Sequence, residues 1–248
     1  MQWRYFFEIL YLVSCLIPFR SGREWFRREK LFDYKSKLNA LRRNLPDKDW
    51  RHFRLAKGGG SLAFITGDNV YKIRKFHLHD NALVKFMREK RITDALAPIL
   101  PIQIPQIQIY QFDGYTVYAT KFIKGCILLN LPLKKIREHR AQLAAELANI
   151  ITIMFDAKLP ELDDLRPAQQ FGDTIGMVHG DMCSNILIDP QTMHIVGIID
   201  WEYAGFGSLK REFFGLFRVR KKMRLTDIAP EVMWNYYANK SKSSAQGA

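Results

Sequence analysis

Cysteine is scarce in this 248-residue chain, and the three present, Cys15, Cys126 and Cys183, are far apart and odd in number. A disulfide framework is therefore not indicated, and the compartment reads as reducing. No pair of cysteines has metal-ligand spacing, and the histidines show no HExxH pattern; His77 and His79 read as surface residues at a strand end. Acidic residues are also short, at 25 against 38 Lys and Arg. No helix-turn-helix, zinc-finger or RNP pattern accompanies that excess, so nucleic acid is not the expected partner despite the basic pI. Long apolar runs are missing as well. The most apolar stretch, residues 3–19, is shorter than the roughly 20 residues a membrane span needs, and no small-residue cleavage site follows Pro18.

What charge there is lies at the two ends. Residues 1–57 carry 14 Lys or Arg and 6 Asp or Glu, and residues 209–248 carry 9 and 3, while the stretch between them is near neutral with 15 and 16. An excess placed so suggests an anionic surface or partner. At the amino end, the apolar stretch is followed by Arg20, Arg23, Arg27 and Arg28, interleaved with Trp25 and Phe26. That pattern fits a helix lying on anionic lipid through residues 3–28; a helix packed on the rest of the protein accounts for it equally well. Steps of three and four between Leu31, Tyr34, Leu38, Leu41 and Leu45 predict an amphipathic helix that ends before Pro46.

Strands come next. Residues 53–56, 62–65 and 70–73 are short apolar or alternating runs, joined by Lys57-Gly58-Gly59-Gly60-Ser61 and Thr66-Gly67-Asp68-Asn69. Three glycines in a row let backbone N–H groups approach a phosphate without side-chain obstruction. Alternation puts Lys72 on one strand face with Val70, and an inward lysine needs a partner. Residues 81–96 predict a helix capped by Asp80, with Phe86, Glu89, Ile92 and Leu96 near one face. After an extended linker over residues 98–105, residues 107–110 and 116–120 flank Asp113-Gly114, a strong hairpin signal. Residues 132–158 predict one long helix, residues 212–219 and 230–238 two more, and residues 241–248 a polar, disordered tail.

The stretch Met177-Val178-His179-Gly180-Asp181 through Asp200 carries the chemistry. Residues 186–188 and 195–199 read as two buried strands joined by a turn at Asp189-Pro190-Gln191. Such a hairpin presents Asp181, Asn185 and Asp200 at one end of a rigid scaffold. One carboxylate to accept the proton of an attacking hydroxyl, with an amide and a second carboxylate to hold Mg²⁺ on nucleotide phosphates, is what phosphoryl transfer requires.

These residues, HGD, Asn185 and IIDWE, resemble the aminoglycoside phosphotransferase and choline kinase family, a branch of the protein-kinase-like fold, over about residues 51–220. The resemblance implies an α+β, bilobal fold, with a small antiparallel-sheet N-lobe and a mainly helical C-lobe, preceded by N-terminal helices. The corresponding domains are a helical extension over 1–50, an N-lobe over 51–121, a C-lobe over 122–240 and the tail. The resemblance further implies ATP and Mg²⁺ as cofactors and a hydroxyl as acceptor. Asp181 is then the base, and Asp200 and Asn185 the metal ligands. Lys72 holds phosphates and is positioned by Glu89, Gly58, Gly59, Gly60 and Ser61 cover the nucleotide, and Lys121, Phe122 and Ile123 form the adenine hinge.

One spacing departs from the family, which places the Asn five positions after the catalytic Asp; here it is four, and the fifth position is Ile186. Ser184 is the alternative ligand. The family permits aminoglycosides, choline or sugars as acceptors. The basic carboxy-terminal region favours an anionic acceptor, and residues 26–46 look similar to leader segments of Gram-negative surface-polysaccharide proteins. The preferred acceptor is therefore an anionic or lipid-linked sugar, such as a lipopolysaccharide core, for a cytoplasmic enzyme at the inner face of the membrane. An aminoglycoside- or choline-type kinase and a membrane-associated pseudokinase scaffold are the alternatives.

Overall fold

The computed structural model describes residues 33–57, 60–75, 81–167, 174–217 and 228–246, together with Cys15, Leu16, Pro18, Phe19 and Gly22. Two compact units result, Met1–Met87 with Ile107–Phe122 and Arg88–Gln106 with Ile123–Ala248.

The first unit is an antiparallel sheet of five strands, β1 (Arg54–Lys57), β2 (Ser61–Thr66), β3 (Asn69–Arg74), β4 (Gln108–Phe112) and β5 (Tyr115–Lys121), in the order β1-β2-β3-β5-β4. Alternation sorts their side chains: Phe64, Tyr71, Ile73 and Val117 are buried on one face. Asp113 and Gly114 both adopt positive φ, 51° and 73°, as a two-residue β4–β5 hairpin turn demands.

Helix α1 (Tyr34–Asn44) lays Leu38 and Leu41 into the same apolar cluster, with Trp50. Residues 33–50 are thus built into the first unit rather than standing as an extension before it. Arg43 and Asn44 both donate to Asp113 Oδ2 at 2.8 Å, tying the helix to the hairpin turn. Lys37 is fully buried, its Nζ donating to the Lys75 carbonyl at 3.1 Å, and burial lowers its pKa to about 8.

Helix α2 (Ala82–Leu96) follows. Its Phe86 packs with Ile107 and Tyr118 in the first unit, whereas Ile92 and Leu96 enter the core of the second. The N-cap expected at Asp80 lies outside the described residues. In the linker, Gln103 bridges to Gly197, donating to the Val196 carbonyl at 3.0 Å and accepting from Ile198 at 3.1 Å.

The second unit holds β6 (Cys126–Ile127), α3 (Leu133–Glu138), α4 (Arg140–Asp156), β7 (Ile175–Val178), β8 (Ile186–Ile188), β9 (Ile195–Ile198), β10 (Gly205–Ser208), α5 (Leu209–Phe217) and α6 (Ala229–Gln246). The single helix expected over 132–158 is broken at His139, which leaves helical geometry at φ −108°, ψ 20°. Its Nδ1 lies 3.0 Å from the Lys135 carbonyl, one of the oxygens a helix end leaves without an amide. The tail expected to be disordered is helical as far as Gln246. The expected β8–β9 hairpin forms, with β6 on its other side, and β7 pairs with β10 as a separate ribbon. Among the described residues no helix is long and apolar enough to cross a membrane. Residues 3–28 fall outside the described residues, apart from the five named above.

Candidate active site

β7 delivers the chain into His179-Gly180-Asp181, and each of these residues is held differently. His179 is fully buried against the indole of Trp201, ring centroids 4.6 Å apart and edge-on. Its Nδ1 accepts the Asp181 N–H at 3.2 Å, so Nε2 carries the proton and donates to the Ile199 carbonyl, also at 3.2 Å. A neutral imidazole therefore joins the loop of one candidate aspartate to the strand that ends in the other. Gly180 sits at φ 77°, and a Cβ there would lie 2.9 Å from the Tyr203 carbonyl. Both facts require glycine between His179 and Asp181.

From Asp181 the chain makes one 3₁₀ turn, Met182–Ser184, and arrives at Asn185. The Asn185 side-chain N–H donates to the Asp181 carbonyl at 2.8 Å, its backbone N–H to Met182 at 2.9 Å, and its carbonyl accepts from Ile199 at 3.0 Å. Ile186 is fully buried and opens β8. Asp181, Asn185 and Asp200 are thus brought to the same end of the β8–β9 hairpin.

Asp200 adopts a left-handed backbone, φ 65°, ψ 63°. For a residue with a side chain this costs on the order of 1 kcal/mol, and such strain concentrates at functional positions. Its surroundings enforce it. Trp201 is fully buried, its indole N–H donates to the Ile198 carbonyl at 2.9 Å, and its backbone N–H to Glu89 Oε1 at 3.2 Å. Glu89, 2% exposed, consequently braces the residue that follows Asp200. Asp200 and Asn185 offer oxygen donors only, a set that suits Mg²⁺, which takes one or two carboxylates and completes its shell with phosphates and water. Among the described residues no group of three His, Cys, Asp or Glu is placed to hold a metal by itself.

Three further residues shape the site. Glu212 of α5 is fully buried, and its Oε2 accepts from His179 N–H at 2.6 Å and Gly180 N–H at 3.0 Å. Burial pushes its pKa up to about 7, against the two N–H groups and Arg211, which favour the charged form. Its Oε1 is buried without a hydrogen-bond partner. Arg88 donates to the carbonyls of Glu202 and Ala204, and Arg211 to that of Tyr203 at 2.8 Å.

The remaining expected residues belong to the first unit, except Ile123. Gly60 accepts from Lys75 N–H at 3.0 Å and approaches the Arg74 guanidinium so closely that a Cβ would lie 2.8 Å from it. Ser61 opens β2; Gly58 and Gly59 lie outside the described residues. Lys72 pairs with Tyr118 across β3 and β5, its Nζ 4.8 Å from the ring centroid, on the face opposite Tyr71 and Ile73. Lys121 closes β5, and the Phe122 N–H is given to the Asp68 carbonyl at 2.8 Å. Ile123 is buried in the second unit against Gly197.

Residues 129–227, the segment that holds this site, match the model of the phosphotransferase enzyme family. Solved structures agree on the fold. A ternary complex of streptomycin, ATP and APH(2'')-IIa is similar over 82% of this chain and 83% of its own, at 16% identity and a TM-score of 0.62. ADP-bound APH(2'')-Ib gives 16% identity and 0.64, with 82% and 81% covered. APH(3'')-Id from Streptomyces rimosus gives 15% and 0.58, with 83% and 92% covered. No curated protein matches the sequence. The fold is therefore the expected kinase-like one.

Sequence reasoning missed Glu212, Arg88 and Arg211. A signal existed for the first: in Leu-Lys-Arg-Glu-Phe-Phe-Gly-Leu-Phe, Glu212 shares the buried side of α5 with Phe213 and Leu216. An ionisable residue on the apolar side of a helix needs a reason to be there. For the two arginines there was none, because their acceptors are backbone carbonyls distant in sequence.

Proposed function

We propose that the chain is an ATP- and Mg²⁺-dependent kinase that phosphorylates a hydroxyl of a small molecule or glycan. The observation that carries this reading is the convergence of Asp181, Asn185 and Asp200 on one end of the β8–β9 hairpin, locked by His179 and Glu212. Asp181 orients the acceptor hydroxyl and takes its proton. Asp200 and Asn185 hold Mg²⁺, which on the nucleotide phosphates supplies charge neutralisation as the phosphoryl group transfers. Lys72 contacts the nucleotide phosphates with Glu89 as its positioning partner, Gly58, Gly59, Gly60 and Ser61 cover them, and residues 121–123 receive the adenine. A site of this kind works by positioning and fixed charge.

For the acceptor, the charge distribution supports an anionic or lipid-linked sugar of cell-surface polysaccharide. Only Glu212, Asp227 and Glu231 are acidic after residue 208, and Glu212 is buried. Residues 3–28 then hold the enzyme peripherally on the inner face of the membrane. The structural neighbours favour the second reading, an aminoglycoside acceptor, since one of them holds streptomycin. Incubation with γ-labelled ATP, Mg²⁺ and either fractionated cell-envelope glycolipid or kanamycin separates the two. Label should enter the glycolipid with wild type and not with Asp181→Asn or Asp200→Asn. Label entering kanamycin alone would establish the second reading, and nucleotide binding without any transfer would make the chain a scaffold.

A further inference from the structure

We propose that Arg88 and Arg211 form an oxyanion subsite beside Asp181 which takes a phosphate or carboxylate group of the hydroxyl-bearing acceptor. The inference rests on the phosphotransferase reading above and supplies the recognition element that it lacks.

The two guanidinium groups are held side by side by consecutive carbonyls. Arg88 uses Nη1 and Nη2 on Glu202 and Ala204, and Arg211 uses Nη2 on Tyr203. Arg88 passes so near Gly205 that a Cβ there would lie 2.5 Å from Nη2. Arg211 lies over Gly180, the residue before the candidate base, where a Cβ would lie 3.0 Å from Nη2 and 3.3 Å from Nε. Asp181 and Arg211 both act electrostatically on Glu212, which sets them in one neighbourhood.

Bracing carbonyls does not account for the pair. A guanidinium has five N–H donors; Nε of both arginines and Nη1 of Arg211 meet no acceptor among the described residues. Neither arginine forms an ion pair there, although the two repel each other and Arg88 is partly desolvated, which together lower its pKa. Two cations brought together with neither ion-paired among the described residues form a site that an anion can complete, and the fork of an arginine matches phosphate or carboxylate oxygens in bidentate fashion. Arg211 is exposed, so the anion can reach it. A polycationic acceptor would meet repulsion at the same point.

The test uses the full chain saturated with a non-hydrolysable ATP analogue and Mg²⁺, so that nucleotide phosphates cannot compete, and titrates inorganic phosphate and, separately, glucuronate by calorimetry. Wild type should bind at least one of them, and which one tells phosphate from carboxylate recognition. Arg211→Gln and Arg88→Gln should weaken that binding at least tenfold, about 1.4 kcal/mol, with the affinity for the analogue unchanged and the melting transition of Arg211→Gln intact. Lys210→Gln, a neighbouring cation on α5, should leave it unaltered. Equal binding in wild type and both arginine variants, no binding by wild type, or equal loss in Lys210→Gln would each overturn the subsite. Failure of wild type to bind the analogue with Mg²⁺ would instead overturn the phosphotransferase reading itself.

Discussion

Replacing Glu212 by Gln should remove a pH dependence from the stability of this protein. An unfolded glutamate loses its proton near its ordinary value of 4.5, whereas Glu212 in the folded chain holds its proton to about 7. Between those values the native state binds a proton that the unfolded state has released, so stability falls as pH rises through the window. The penalty is absent below about pH 4.5 and complete above about pH 7. At 1.36 kcal/mol per pH unit it amounts to about 3 kcal/mol. Glutamine keeps an oxygen for the N–H groups of His179 and Gly180 but never ionises, so this contribution vanishes. Its weaker bonds to those two donors give back about 1 kcal/mol at all pH values. Urea unfolding of both proteins at pH 5 and pH 8 isolates the effect, since other titrating groups cancel in the comparison. The stability lost by wild type between the two pH values should exceed the loss in Glu212→Gln by about 2–3 kcal/mol. An equal loss in both would refute the assignment of a buried, proton-holding carboxyl beneath the His179–Asp181 loop.

The strained backbone at Asp200 predicts that Asp200→Gly raises unfolding free energy by up to about 1 kcal/mol while abolishing phosphoryl transfer. Asp200→Asn should abolish transfer with stability unchanged, and paired thermal melts and label-transfer assays read both. Asn185→Ala removes the bond to the Asp181 carbonyl and should cost about 1–3 kcal/mol in chemical denaturation. Its turnover should fall by more than tenfold if the side chain also binds Mg²⁺, and a smaller fall would restrict Asn185 to shaping the loop. Deleting residues 1–22 should release the protein from vesicles containing anionic lipid, and wild-type binding should weaken as salt is raised, measured by sedimentation. A truncated chain that aggregates would show instead that this segment belongs to the fold.

Local patterns carried the first unit well. The alternation in Val70-Tyr71-Lys72-Ile73 and the Asp113-Gly114 pair decide strand faces and turn type within a few residues, and the structure follows them. The β8–β9 hairpin was legible for the same reason. What escaped depends on partners far away in the chain. β10 is a strand only because Gly205-Phe206-Gly207-Ser208 lies along β7, and its glycines argue against any strand by themselves. Lys37 sits on the buried side of α1 through a bond to Lys75, where helical periodicity had favoured only leucines and Tyr34. The motif singled out Asp181 and Asp200 as candidates, yet Glu212, which binds the loop before Asp181, comes from 31 positions after it. Its importance appears only when α5 is packed under the loop.

The path of the chain through its two units bears on how the protein can be made and altered. The first unit closes only when β5 slots between β3 and β4, after the chain has passed through residues 88–106, which belong to the second. On a ribosome, β3 therefore waits with one edge unpaired until residues 115–121 emerge, and unpaired edges invite mispairing. Nor can a single cut separate the units as interchangeable modules. A fragment ending at Phe122 would carry Ile92, Leu96, Leu100 and Ile104, four apolar side chains whose core lies downstream. Domain exchange with a related enzyme would have to move residues 88–106 together with the carboxy-terminal unit, through two junctions rather than one.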